Sequence, residues 1–344
     1  APDLEDTKDL TVWVWPESLW APISFVQTVL ANAPEGRYSS TDWHDWWCAD
    51  DAKVFQFIGQ DNIYFYCVAQ PAMWEALDWG LFQDTPVANY HILFMNKKAS
   101  SSGKIKPPMA EELLDHYTPE QLRTHWLSLA LDQKAVSFSP KPYDTSVSHK
   151  DKKTGEEILV KDDPRVVDPA LKESAFLTNI FNRLARSCFY GAANNCDGHL
   201  PEIAPEQEVV DAANEATLAF ERACAVFDAH TALSVAEEYC RAANKRWGDE
   251  SKAAKDNHDA YVQALANAFR ALRTVTLLMH PATPFGCTKI CEHLNFKPEL
   301  FFSWDHAFDG VTELAEAQGE TPETHELVAL PPRYDFFEKK PGQK

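Results

Sequence analysis

Gly59-Gln60-Asp61 puts a carboxylate just behind a glycine, at the end of the apolar and aromatic run Val54-Phe55-Gln56-Phe57-Ile58. A run of that composition has the profile of a buried strand. A turn and an acid at its C-terminal end present Asp61 where α/β folds bind ligands. Further along, Lys98-Ala99-Ser100-Ser101-Ser102-Gly103-Lys104 gathers amines and hydroxyls in one loop. Such groups could engage phosphate oxygens, or they could form a plain solvated loop. His44 sits between Asp42 and Asp45 and could titrate, but no nucleophile accompanies it. The eight cysteines include no C-x-x-C pair. Cys287 and Cys291 could share a helix face, but zinc needs a second ligand pair, so reduced thiols and no metal are expected.

The elements that must position these groups are legible around them. Asn62 to Leu77 carries Ile63, Phe65, Tyr66, Val68, Met73 and Leu77 at helical intervals. Tyr90-His91-Ile92-Leu93-Phe94 is a second β-rich run, so strand, helix and strand follow in succession as one α/β unit. Leu10 to Trp15 reads as a further strand and Leu19 to Leu30 as an amphipathic helix. Thr41 to Cys48 reads as a capped helix whose indoles share one face. Residues 109–114 and 119–131 are helical, and 145–160 forms a hairpin turning at Lys153-Thr154-Gly155-Glu156. From Pro169 onward the period is helical throughout, with spans near 169–192, 205–229, 231–248, 255–280 and 284–293.

The wording of the central unit is more specific than its periodicity. Phe57-Ile58-Gly59-Gln60-Asp61-Asn62-Ile63-Tyr64-Phe65-Tyr66, followed by Pro71-Ala72-Met73, resembles the Phe-Ile-Gly-Lys-Asp-x-x-Tyr-Phe-His…Pro-Ala-Met stretch of methionyl-tRNA synthetases. Leu114 to Arg123 is similar to the helix after that family's Lys-Met-Ser-Lys-Ser loop, which puts Lys98, Ser100, Ser101 and Ser102 at the signature loop itself. The resemblance runs from about Leu10 to about Trp304. It implies an α/β fold: a partial Rossmann-type class I synthetase domain followed by an all-α anticodon-binding-type bundle. The implied spans are 1–135 for the second half of the catalytic domain, 136–168 for a connection with the inserted hairpin, 169–304 for the bundle, and 305–344 for an acidic linker and a tail that packs back, in the family onto the catalytic domain.

The resemblance also implies a nucleotide and amino-acid pocket formed by Trp13, Gly59, Gln60, Asp61 and Tyr66. Several of these depart from the family. Gln60 replaces a lysine, Tyr66 replaces a histidine, and Trp15 or a neighbour replaces an acid. In class I enzymes the loop lysines neutralise triphosphate charge in the transition state, a role serine cannot fill; here Lys98 remains and the second lysine is lost. No H-x-G-H occurs in the chain, so the first half of the fold, with its ATP-contacting histidines, has no counterpart. Asn182 and Arg186 match the family's Asn-x-x-x-Arg, whose i, i+4 spacing places both on one helix face, where they could bond unstacked tRNA bases or form a structural pair. The family's stacking tryptophan aligns near Lys252-Ala253, with Trp247 six residues early.

A formal charge of −20 and a pI near 5.0 oppose gripping nucleic acid by bulk charge, and no DNA partner is expected. No run approaches the roughly 20 apolar residues of a membrane span, and the first residues lack a signal peptide, so a cytoplasmic location is expected. Three readings follow. The first is a synthetase-like protein, related to ATP-dependent methionine–tRNA ligases of protein biosynthesis, that is inactive alone and binds tRNA or a partner. The second is the C-terminal fragment of an active ligase. The third is a protein-interaction module that binds neither ATP nor tRNA. Self-association or a protein partner would cover the open half sheet.

Overall fold

The computed structural model describes residues 14–78, 80, 85–98, 107–139, 148–150, 153–159, 171, 173 and 175–340. The chain forms two compact units, residues 1–91 with 131–135 and residues 92–130 with 136–344. Residues 92–130, which the resemblance groups with the first domain, make their contacts within the second unit.

In the first unit, α1 (Trp15–Ser18), α2 (Ala21–Asn32) and α3 (His44–Trp47) precede β1 (Phe55–Gly59). Trp15 therefore opens a helix, not the end of a strand: Pro16 sits in its first turn, where a missing N–H costs nothing. The rest of the expected strand, 10–13 with Trp13, lies outside the described residues. Ile23, Trp47 and Trp74 form the core, the two indoles meeting edge to face at 5.6 Å. Of the indole face read at Thr41–Cys48, Trp47 is buried while Trp46 is exposed. A buried amide relay ties three segments together: Gln56 Nε2 donates to Gln70 Oε1 (2.8 Å), and Gln70 Nε2 donates to the Leu19 carbonyl (2.9 Å).

The stretch after β1 is helical but not uniformly α. A 3₁₀ turn (Gln60–Asn62) leads to a π turn (Phe65–Ala69) and then to α4 (Gln70–Leu77). The chain returns in β2 (Thr85–Asn89), parallel to β1 with Gly59 opposite Asn89. The strand read at 90–94 is thus displaced: β2 ends at Asn89, and only Ile92–Phe94 is extended, as β3. Tyr90 turns away, its N–H bonded to the Leu131 carbonyl.

In the second unit β3 pairs in parallel with β4 (Val136–Phe138). α5 (Ala110–His116) and α6 (Pro119–Leu127) pack Leu113 and Leu122 against Phe94 and Phe138. α6 opens with a capping box, Thr118 and Gln121 each bonding the other's backbone N–H. The expected hairpin is present as β5 (Ser148–Lys150) and β6 (Glu157–Leu159), with Gly155 at φ +75° in its turn. A π turn (Phe176–Phe181) leads into the bundle, α7 (Asn182–Asn195), α8 (Gln207–Ala225), α9 (Ala229–Ala253), α10 (His258–Met279) and α11 (Pro284–His293). α10 is buried without a break from Ala264 to Met279, the central post of the bundle. The acidic stretch 312–326 is only partly a linker, because α12 (Pro298–Phe301) is followed by α13 (Val311–Ala317), which buries Leu314 and Ala315.

Glu120 is a buried acid at a helix start. Its Oε1 accepts from Gly286 N (2.9 Å) in the first turn of α11. Burial pushes its carboxyl above the usual range, against the lowering pull of the Gly286 and Phe285 amides, Lys289 and Arg123. The folded state therefore holds this proton to higher pH than the unfolded chain does. The resulting stability is full below the unfolded pKa and is lost as pH rises through the raised folded pKa. Glu120→Gln keeps the acceptor and removes the titration. Thermal unfolding between pH 4 and pH 7 should show a smaller loss of stability with rising pH in that variant than in the unaltered chain.

Candidate functional site

The carboxyl ends of β1 and β2 lie side by side, and the polar groups of the first unit collect there. Gly59 closes that end with an ordinary backbone (φ −74°), and a Cβ on it would meet only the exposed Asp61 carboxylate, 2.8 Å from Oδ1, which is free to shift. The 3₁₀ turn then presents Gln60 and Asp61 to solvent, and the π turn carries Tyr66, half-buried. Asp61 Oδ2 lies 3.9 Å from His91 Nε2, which arrives from just beyond β2. The sequence reading did not find His91, because it took Tyr90-His91 as part of a strand. The polar signal was present, but the register was not. Trp15 stacks face to face on Phe65 at 4.0 Å, so it serves packing beside this edge.

Lys98 belongs to the second unit. Phe94 and Lys97 exchange backbone hydrogen bonds (2.9 and 3.0 Å) around Met95 and Asn96, both at positive φ. This is the geometry of a tight primed turn, and Lys98 leaves it exposed. Ser100, Ser101 and Ser102 lie outside the described residues. At the β1 edge Gln60 is neutral where the family carries a lysine, and the basic group beside Asp61 is His91, so no lysine or arginine among the described residues there meets a triphosphate.

The residues expected to touch tRNA have a different setting. Asn182 is completely buried. Its Oδ1 accepts from the N–H groups of Phe336 and Phe337, both at 3.0 Å. Its Nδ2 donates to the carbonyls of Phe337 (2.9 Å) and Thr178 (3.2 Å) and to Asp335 Oδ1 (3.3 Å). Arg186 pairs with Asp335 at 2.8 Å. Both residues thus hold the chain's own C-terminal segment, and Asn182 has no polar atom left for a base. The tail docks on the helical bundle, where Phe337 meets Phe181 at 4.8 Å and Phe336 meets Phe189 at 5.6 Å. The expected base contact through Asn182 is corrected accordingly: sequence spacing placed the pair on one face but could not show which segment covers it. Trp247 is also buried, edge-on to Tyr261 at 5.5 Å, and Arg246 is paired with Glu208 (2.7 Å) and Glu250 (3.3 Å).

Residues 1–149 match the family model described as tRNA synthetases class I (M). The chain is methionyl-tRNA synthetase-like. It is 24% identical to the methionine–tRNA ligase of Methanoculleus marisnigri over 88% of this chain and 41% of that protein. It is 27% identical to that of Methanospirillum hungatei over 80% of this chain and 37% of the relative. Mycobacterium tuberculosis methionyl-tRNA synthetase, solved with bound methionyl-adenylate, superimposes with a TM-score of 0.64 at 20% identity, over 95% of this chain and 56% of that one. The fold is therefore shared, an α/β part and a helical bundle, while the chain spans about two fifths of the length of these curated relatives. Among the described residues no three His, Cys, Asp or Glu side chains group to hold a metal, and no helix is long and apolar enough to cross a membrane.

Proposed function

We propose that this synthetase-like chain does not activate methionine by itself and works by associating with a complementary α/β half, supplied in the same polypeptide or by another protein. The observation that carries this reading is the parallel sheet of the first unit, which among the described residues consists of β1 and β2. Parallel sheets are stable when helices cover both faces, and two strands alone are marginal in water. Around that sheet, among the described residues, Ile63, Tyr64 and Val68 beyond β1 and Phe25 and Val29 on α2 are all more than two fifths exposed. Apolar exposure of that extent in one unit marks an interaction surface. The complement it fits is one that adds strands beside β1 and helices over its faces.

The relatives are named as ligases that use tRNA, and one solved relative holds methionyl-adenylate. ATP binding and tRNA recognition by this chain belong to the same proposal. Gln60 and Asp61 weigh against triphosphate binding by the chain alone. The buried Asn182 and the charge of −20 weigh against tRNA recognition through the bundle, so association with protein is the favoured role. Two measurements test this. Methionine-dependent ATP–pyrophosphate exchange by the isolated chain should not rise above background; turnover that disappears in Lys98→Ala would overturn the proposal. In hydrogen exchange, the amides of β1 and β2 should exchange orders of magnitude faster than those of α10. Equal protection in a monomeric sample would mean the first unit is already complete.

A further inference from the structure

Ahead of β1, residues 37–47 turn aromatic side chains outward. Tyr38 and Trp46 keep 37% and 41% of their area exposed, and their rings meet at 81° with centroids 5.7 Å apart. Neither ring is loose. Trp46 Nε1 donates to the Ser40 carbonyl (3.2 Å), and the Arg37 guanidinium lies over the Tyr38 ring at 5.9 Å. Ser40 is fixed in turn: its Oγ donates to Asp45 Oδ2 (2.6 Å) and accepts from Asp42 N (3.0 Å). Two rings held near a right angle leave a notch with apolar sides that is open to solvent.

The charge around the notch is mostly of one sign. Residues 35–51 hold five carboxylates, on Glu35, Asp42, Asp45, Asp50 and Asp51, all exposed, against Arg37 as their one lysine or arginine. The His44 amide (3.0 Å) and ring Nδ1 (2.7 Å) both meet Asp42 Oδ1 and hold that carboxyl below its usual range, so it is ionised at neutral pH. Such a rim draws a basic ligand and repels an acidic one. A pyrrolidine ring packs well into an aromatic notch, and a proline-rich segment is already extended before it docks, so it gives up little conformational freedom. A neutral sugar could stack on the rings but would leave the rim unused.

We propose that the Tyr38–Trp46 notch docks a proline-rich segment of another protein that carries arginine or lysine beside its prolines. The prolines pack on the two rings, and the basic residue lies at Asp42 and Asp45. The site is contained within the first unit and does not depend on the function proposed above.

Calorimetric titration of the full chain with three synthetic peptides tests the proposal. The first is Pro-Pro-Leu-Pro-Pro-Arg-Arg, the second has glutamates in place of its arginines, and the third has alanines in place of its prolines. The first should bind roughly tenfold tighter than either of the others. Trp46→Ala and Tyr38→Ala, both at exposed positions, should each weaken it by about tenfold. Asp45→Asn keeps an acceptor for Ser40 and should weaken it severalfold, with the melting temperature unchanged. Cellohexaose, a neutral sugar probe, should not bind. Equal binding of the alanine peptide would mean attraction by bulk charge alone, and affinity unchanged in both Trp46→Ala and Tyr38→Ala would put the peptide elsewhere. Either result overturns the assignment, as does no binding of the first peptide, or cellohexaose binding that disappears in Trp46→Ala.

Discussion

Asn182→Ala should release the C-terminal segment and destabilise the helical unit by about 3 kcal/mol or more. The truncation leaves the Phe336 and Phe337 N–H groups and the Phe337 carbonyl without their partner inside the protein. Each buried polar group left unsatisfied costs roughly 1–3 kcal/mol. The tail can escape that cost only by leaving, which exposes two fully buried phenylalanines at roughly 1.5–3 kcal/mol each. Arg186→Ala provides the contrast. It removes a partly exposed ion pair to the same tail, and such pairs are worth about 1 kcal/mol or less. Denaturant unfolding followed by helical signal, with limited proteolysis of residues beyond 327, should rank Asn182→Ala far above Arg186→Ala. Equal effects would mean that the charge pair and not the buried amide holds the tail.

The second large effect is expected at Gly286. A Cβ on this residue would fall on the Phe337 ring, 2.5 Å from Cδ1 and 2.6 Å from Cζ. Alanine favours a helix interior over glycine by about 1 kcal/mol, and Gly286 lies in the first turn of α11, so local propensity alone predicts a smaller stabilisation. The overlap reverses the sign. Phe337 is buried against Phe181 and cannot rotate away without losing that contact. Forced overpacking of this kind costs about 1–3 kcal/mol, and Gly286 N must also keep its bond to Glu120. Gly286→Ala should therefore destabilise the protein and open the tail to protease. Phe337→Leu in the same chain should recover part of the loss, a coupling that a double-mutant cycle reads directly. A melting temperature raised by Gly286→Ala would show that the tail is not seated there in solution.

Both predictions concern the segment whose location was least legible. Resemblance led to a tail returning to the catalytic part, and its clustered aromatics suggested packing rather than a free end; Phe336 and Phe337 are buried on the bundle. Its receptor is assembled from Asn182, Arg186, Phe189 and Gly286, residues on two helices far apart in sequence, and no local pattern joins them. The aromatic end of that tail, Asp335-Phe336-Phe337, also shows why motif spacing misleads here. An i, i+4 Asn/Arg pair is equally suited to a splayed base or to a bent peptide segment, since both offer donors and acceptors within its reach.

Local determinants settled much of the rest. The apolar run at 54–58 is β1 displaced by one residue, the helix read at 284–293 is α11, and the spans near 205–229, 231–248 and 255–280 hold α8, α9 and α10. These elements are dictated by side-chain period, which each residue carries within a few neighbours. What tertiary structure decided was of another kind. β2, containing Pro86 and Asn89, has little strand propensity of its own and is extended because β1 is beside it. His91 reaches Asp61 only through that pairing. The buried state of Asn182 likewise exists only when the distant C-terminal segment meets α7. The sequence by itself determined the period of each element and the family it resembles. Which polar groups are enclosed and which remain open depends on packing between segments remote in the chain, and local propensity carries no record of it.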